Sequence, residues 1–155
     1  MATRIVSEVQ KIESNIAKVY SFLSDFDRIG ALINMARQMG IENKEMVQQI
    51  ADKIENFQTT KDSCSFDVKN VGQMGVIIVE RDEPKLIKLE GGGSVPFEFT
   101  MWIQLLDNGG YETRMRITFE AEINMMLKML LKGKLEKGIN QLAEGLAKIP
   151  YAFLP

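Results

Sequence analysis

No histidine occurs in the 155 residues, and its absence removes much chemistry at once. Ser-His-Asp and Cys-His nucleophile systems, His-ligated zinc and the usual general base near neutral pH are all excluded. Catalysis would have to rest on Asp, Glu, Lys, Tyr or Arg. The single cysteine, Cys64, excludes an internal disulfide and a cysteine-cluster metal site. It lies in "DSCSFDV", on the same face of a predicted strand as Phe66 and Val68. With no basic neighbour nearby in sequence, it reads as a buried, inert thiol.

Charge of one sign is also lacking. Lysine and arginine number 19 against 21 aspartate and glutamate, a net charge of −2, and no block of like charges forms a tail. That balance gives no electrostatic footprint for nucleic acid. Lys or Glu interrupts every apolar run well before the roughly 20 residues of a membrane span, so no stable membrane insertion is expected. The opening "MATRIVSEVQKIES" alternates and has no apolar signal-peptide core. A cytoplasmic protein is the expectation. Apolar content of 45% and charged content of 26% are ordinary globular values. The length suits one domain over 1–155, burying roughly 70% of its unfolded surface.

Periodicity supplies what is present. Residues 4–13 alternate imperfectly around Ile5, Val6, Val9 and Ile12, which predicts a strand with a bulge. Ser14 is the expected N-cap of a helix over 15–24, with Ile16, Val19, Tyr20 and Leu23 on one face. A second short helix is expected over 26–35. A third, over 44–53 and capped by Asn43, carries Met46, Val47, Ile50 and Ile54 in register. From residue 54 the period is two: "IENFQTT", "CSFDVK", "GVIIVE", "LIKLEG", "FEFTMWIQLL" and "YETRMRITFEAEI" read as successive strands. The turns between them, "KDS", "NVGQM", "RDEPK", "GGSVP" and "DNGG", are short, so the strands form an antiparallel meander. After Ile123 the period is helical to about 148.

The last hairpin sets a register. Phe97, Phe99, Met101, Ile103 and Leu105 share one face; Thr113, Met115, Ile117, Phe119 and Ala121 share another. The two sets meet on one side of the sheet only if paired residue numbers have an even sum. A three-residue loop, Asn108-Gly109-Gly110, meets that condition by pairing Asp107 with Tyr111. Arg116 then stacks on Trp102, and Gln104 faces Arg114, on the outer face. The alternative use of Trp102 is a subunit interface. Glu112, Glu120, Glu122, Arg114 and Arg116 also fall outside, as paired surface charge.

The C-terminal helix carries Leu127, Leu130, Leu131, Leu135, Ile139, Leu142, Leu146 and Ile149 at spacings of three and four, a stripe expected against the inner face of the sheet. Gly138 and Gly145 lie near it; each costs roughly 1 kcal/mol in helix propensity, which suggests close approach to the sheet or spare volume for a ligand. Met125, Met126 and Met129 stand where the last strand hands over to this helix.

Strand, short helices, meander and long C-terminal helix together resemble the helix-grip superfamily of START-domain lipid carriers, plant pathogenesis-related allergens and bacterial aromatase/cyclases. "IESNIAKVYSFLSDF" resembles its strand-to-helix opening, "VERDEPKLIKLEG" its central hairpin, and "FTMWIQLLDNGGYETRMRITFEAE" its last two strands. The resemblance, to a bacterial member, spans essentially the whole chain. It implies an α+β fold in which a seven-stranded antiparallel sheet curls around the C-terminal helix, with two or three short helices between strands 1 and 2. It also implies an apolar cavity walled by Ile87, Leu89, Phe97, Phe99, Met101, Ile103, Met115, Ile117 and Phe119. Met126, Met129, Leu130 and Leu135 would form the helix side, and the 44–53 helix a lid. Flexible methionines suit either a ligand-lining wall or a solid core.

The implied function is carriage or sensing of a small hydrophobic molecule such as a lipid, isoprenoid or aromatic metabolite. No cofactor, metal or catalytic residue is assigned, and a homodimer is compatible. Two alternatives stay open. A polyketide cyclase or dehydratase would need an internal acid or base, for which Arg81, Tyr111 and Thr113 are the available polar groups. An interaction module resembling the chaperone-ATPase activator domain would use the outer face around Trp102.

Overall fold

In the computed structural model, residues 2–39, 54–68, 72–93 and 98–151 are described. The N-terminal alternation resolves into β1 (Ala2–Val6) and β2 (Gln10–Ile12), both antiparallel to β8 (Thr113–Glu122). Ile5 and Ile12 are seven residues apart, so an unbroken strand would point them to opposite faces. The break shifts the register by one residue, from Ile5↔Phe119 to Gln10↔Met115, and both isoleucines turn inward. Ser7 bridges the break: its N–H donates to the Ile117 carbonyl at 2.8 Å, and its Oγ accepts from the Ile117 N–H at 2.9 Å. A side-chain oxygen thus takes over a ladder bond.

Helices α1 (Ile16–Leu23) and α2 (Phe26–Met39) follow. The cap of α1 is Asn15, not Ser14: Asn15 Oδ1 accepts from the Lys18 N–H at 2.9 Å. Ser14 is instead buried, and its carbonyl accepts from Thr113 Oγ1 at 2.9 Å. Asp25 Oδ1 caps α2 through the Asp27 N–H, and the helix runs past the expected residue 35. The expected helix over 44–53 lies outside the described residues.

The meander consists of β3 (Ile54–Thr59), β4 (Ser63–Val68), β5 (Gly72–Asp82), β6 (Leu86–Gly93), β7 (Phe99–Asp107) and β8. The sheet order is β1-β8-β7-β6-β5-β4-β3, with β2 also on β8. The eight strands therefore fill seven positions, as the resemblance implies.

The β7–β8 hairpin keeps the expected parity but moves by two residues. Asp107 pairs with Thr113, leaving the loop 108–112 closed by the Asn108 N–H on the Glu112 carbonyl at 2.9 Å. Gly109 and Gly110 both have φ near +87°, which other L residues rarely adopt. The shift leaves every side chain on its expected face but changes its neighbours. Trp102 faces Thr118, and Arg116 Nε donates to Gln104 Oε1 at 2.9 Å. The cation beside Trp102 is Lys88 on β6, 5.8 Å from the ring centroid.

Helix α3 (Met125–Ala147) is capped by Asn124 Oδ1, which accepts from the Leu127 N–H at 2.9 Å. Ile139, Ala143 and Ile149 are buried, with Leu127, Leu135, Leu142 and Leu146 packed at the margin of the core. Tyr151 closes this end: its ring meets Phe22 edge-on at 5.5 Å and its hydroxyl donates to the Leu146 carbonyl at 2.7 Å. The stripe departs from expectation at Leu130, which is exposed. Gly138 is exposed too, and a Cβ there would meet nothing within 4 Å, so it does not serve close approach to the sheet. Among the described residues no helix is long and apolar enough to cross a membrane.

Two stability outcomes follow from these contacts. Ser7→Ala strands the buried Ile117 N–H and should lower the unfolding free energy by about 1–3 kcal/mol in urea titration. Gly138→Ala gains helix propensity without a clash and should raise it by about 1 kcal/mol.

Candidate functional site

The inner face of the sheet is the predicted cavity wall. Register places Ile87, Ile103 and Ile117 in one row across β6, β7 and β8, and Leu89, Met101 and Phe119 in the next. Met115 and Phe99 share that face, and the Phe99 ring stacks on Phe119 with centroids 5.3 Å apart. The Phe99 ring also lies across Gly91, where any Cβ would overlap it. Phe97 lies outside the described residues.

Of the wall's eight described residues seven are buried, and Met101 alone is partly accessible. Ile87, Met115 and Ile117 have 0% of their surface accessible. A void large enough for water would leave accessible surface on its lining, so this part is packed solid. Met101 remains partly accessible, as do Phe66, Met74 and Val76 on the inner faces of β4 and β5. Phe57 stacks on Phe66 at 6.0 Å and extends the same surface. Helix α3 packs chiefly on β1, β2 and β8, and it meets the core here only at the margin, through Leu127 and Leu135.

Met126, Met129 and Leu130 are not brought to this wall. They lie 74%, 83% and 66% exposed, beside Met125 at 79%. At 100° per residue they fall on the side of α3 away from Leu127, Leu135 and Ile139. The first two turns, "MMLKMLL", are apolar on every side but that of Lys128, so periodicity does not tell which apolar side meets the sheet.

The polar candidates are all engaged or external. Thr113 is fully buried and spends its hydroxyl on the Ser14 carbonyl. Arg81 pairs with Asp62 at 2.6 Å and donates to the Ser24 carbonyl at 2.9 Å. Tyr111 is exposed beyond the sheet end. Outer-face carboxylates pair as expected: Glu120 with Arg4 at 3.9 Å, and Glu112 with Lys11 at 3.1 Å and Arg114 at 3.6 Å. The Asn108 amide, and after it the Lys11 ammonium, hold the Glu112 carboxyl below its ordinary range. Among the described residues no three metal-ligating side chains converge.

A groove of about 810 Å³ crosses the sheet elsewhere. Ser63, Ile77, Glu90, Thr100 and Glu120 form one of its banks, and Gly75, Gly92, Glu98 and Glu122 the other. Both rows alternate with the inward Cys64, Val76, Gly91, Phe99 and Ala121, so the groove lies on the outer face. Of the predicted wall, Phe99 alone among the described residues borders it.

No protein-family model matches the chain, and no curated protein matches it by sequence. Solved structures do match in fold. Norcoclaurine synthase from Thalictrum flavum in complex with dopamine and hydroxybenzaldehyde superposes with a TM-score of 0.68 at 8% identity, covering 100% of this chain and 90% of the other. A conserved protein from Geobacillus kaustophilus gives 0.63 at 15% identity, over 96% and 93%. A START superfamily protein from Mycobacterium smegmatis gives 0.54 at 14%, over 92% and 96%. The chain has the START-like helix-grip fold.

Sequence reasoning missed Phe57, Phe66, Met74 and Val76 as part of the open wall. Cys64 and Phe66 share a face two residues apart, a signal that was available. Met74 fell in "NVGQM", whose composition reads as a turn although β5 begins at Gly72. Val76 sits in an unbroken run, Val76-Ile77-Ile78-Val79, that carries no alternation to read.

Cys64 is buried at the edge of this wall, and burial pushes its thiol up to about 11. Below the free-thiol value of about 8.5 it is protonated folded or unfolded, and its contribution to stability is complete. Above that value the unfolded chain ionises first, so this contribution is lost as pH rises toward 11. At pH 8 Cys64 should resist a thiol-disulfide reagent in the native protein and react at the free-thiol rate in urea.

Proposed function

We propose that the protein binds a small hydrophobic molecule, as a carrier or sensor, against the half-open part of the inner wall. The observation that carries this reading is the partly accessible apolar surface of Phe66, Met74, Val76 and Met101 on the inner face of the sheet. Leu89, Phe99 and Phe119 form the floor, and Leu127 and Leu135 of α3 the far side. The closed row of Ile87, Ile103 and Ile117, with Met115 next along β8, supports that floor.

The chemistry of the surface favours a flat or branched apolar body. The Phe57–Phe66 pair presents ring faces, and the thioethers of Met74 and Met101 adapt to irregular shapes. An aromatic metabolite, an isoprenoid or a lipid chain fits that description. The solved norcoclaurine synthase of the same fold is a complex with two aromatic molecules, dopamine and hydroxybenzaldehyde. Covering roughly 200 Å² of apolar ligand surface supplies about 5 kcal/mol before the entropic cost of binding. A cytoplasmic location belongs to the same reading.

Two substitutions on one wall test it. Ile117→Trp enters the closed row and should lower stability by about 1–3 kcal/mol. Met101→Trp enters the open part, should cost less than about 1 kcal/mol, and should occlude the site. Native mass spectrometry of gently purified protein should then show a discrete hydrophobic adduct on the wild type that Met101→Trp loses. An adduct retained in full by Met101→Trp, or a bare mass with equal uptake of a hydrophobic dye by both proteins, would overturn the assignment.

A further inference from the structure

We propose that the first two turns of α3 dock on an anionic lipid surface. Met125, Met126, Met129 and Leu130 form one continuous apolar face turned to solvent, 66–83% exposed. None of the four side chains belongs to the core or to the inner wall. Single exposed apolar residues need no explanation; four that adjoin on one helix face do.

Charge identifies the occupant. Residues 125–138 carry four lysines, Lys128, Lys132, Lys134 and Lys137, against one acid, Glu136, a local net charge of +3 in a chain whose total is −2. Lys134 and Lys137 are exposed. An apolar helix face joined to a cationic flank is the pattern that lies in the plane of a membrane interface, with methionine and leucine among the acyl chains and lysines at the anionic headgroups. Lysine stems reach outward from such a face while their ammonium groups stay in water.

A second copy fits less well. An isologous contact would oppose two +3 segments, and four side chains expose at most roughly 600 Å², short of the roughly 800 Å² per partner of a stable dimer. The proposal requires docking and not insertion, and it stands whether or not the inner wall holds a ligand.

Flotation of the full chain with vesicles tests it. Binding should be strong on phosphatidylcholine containing about 30 mol % phosphatidylglycerol and at least about tenfold weaker on phosphatidylcholine alone. Raising salt from about 0.1 M to about 0.5 M should weaken it by a similar factor, and soluble glycerophosphoglycerol should not compete. The double variant Met126→Ser/Met129→Ser should lose about tenfold in affinity with its melting temperature unchanged, since both side chains are exposed. Lys134→Glu/Lys137→Glu should lose as much on anionic vesicles only. Equal binding by the methionine variant, or no binding to anionic vesicles, overturns the proposal. So does a concentration-dependent dimer, abolished by the methionine variant, in protein that ignores vesicles.

Discussion

Two hydrogen bonds between Ser7 and Ile117 reconcile an alternation that would otherwise fail. Ile5 and Ile12 are both buried, yet their odd spacing sends them to opposite faces of any regular strand. The reset at Ser7 lets one segment close the sheet edge beside β8 and still feed α1 from the correct side. Ile117 ends the closed row at β8, with no accessible surface, so its N–H must find an acceptor within the protein. The serine hydroxyl is that acceptor. The solid part of the wall and the seam of the sheet therefore depend on the same few atoms.

Fold was legible where one period ran without interruption. Phe99 to Leu105 and Thr113 to Ala121 alternate cleanly, so their faces could be assigned before their pairing was known. Parity survived because a two-residue shift preserves it. The neighbours did not survive, since the loop 108–112 is shaped by two left-handed glycines and the Asn108–Glu112 closure, which no period encodes. Arg116 consequently meets Gln104, and Lys88 meets Trp102. The site was less legible for a related reason. A stretch that is apolar on nearly every side, such as "MMLKMLL", or apolar without alternation, such as Val76 to Val79, announces burial without giving its direction.

Helix α3 is held unevenly. Its C-terminal half is fastened by Ile139, Ala143, Leu146 and the Tyr151–Phe22 contact. Asn140 adds a further tie, its Oδ1 accepting from the Glu8 N–H at 2.9 Å. The N-terminal half has Leu127 and Leu135 at the core margin, together with Gly133, which is exposed and unfavourable in a helix; Gly138 repeats this just past the midpoint. Local opening is easiest where buried contacts are few and backbone propensity is poor. The N-terminal half of α3 meets both conditions. A lever fastened at one end moves at the other, so a surface that engages the methionine face would act on the more loosely held end of α3.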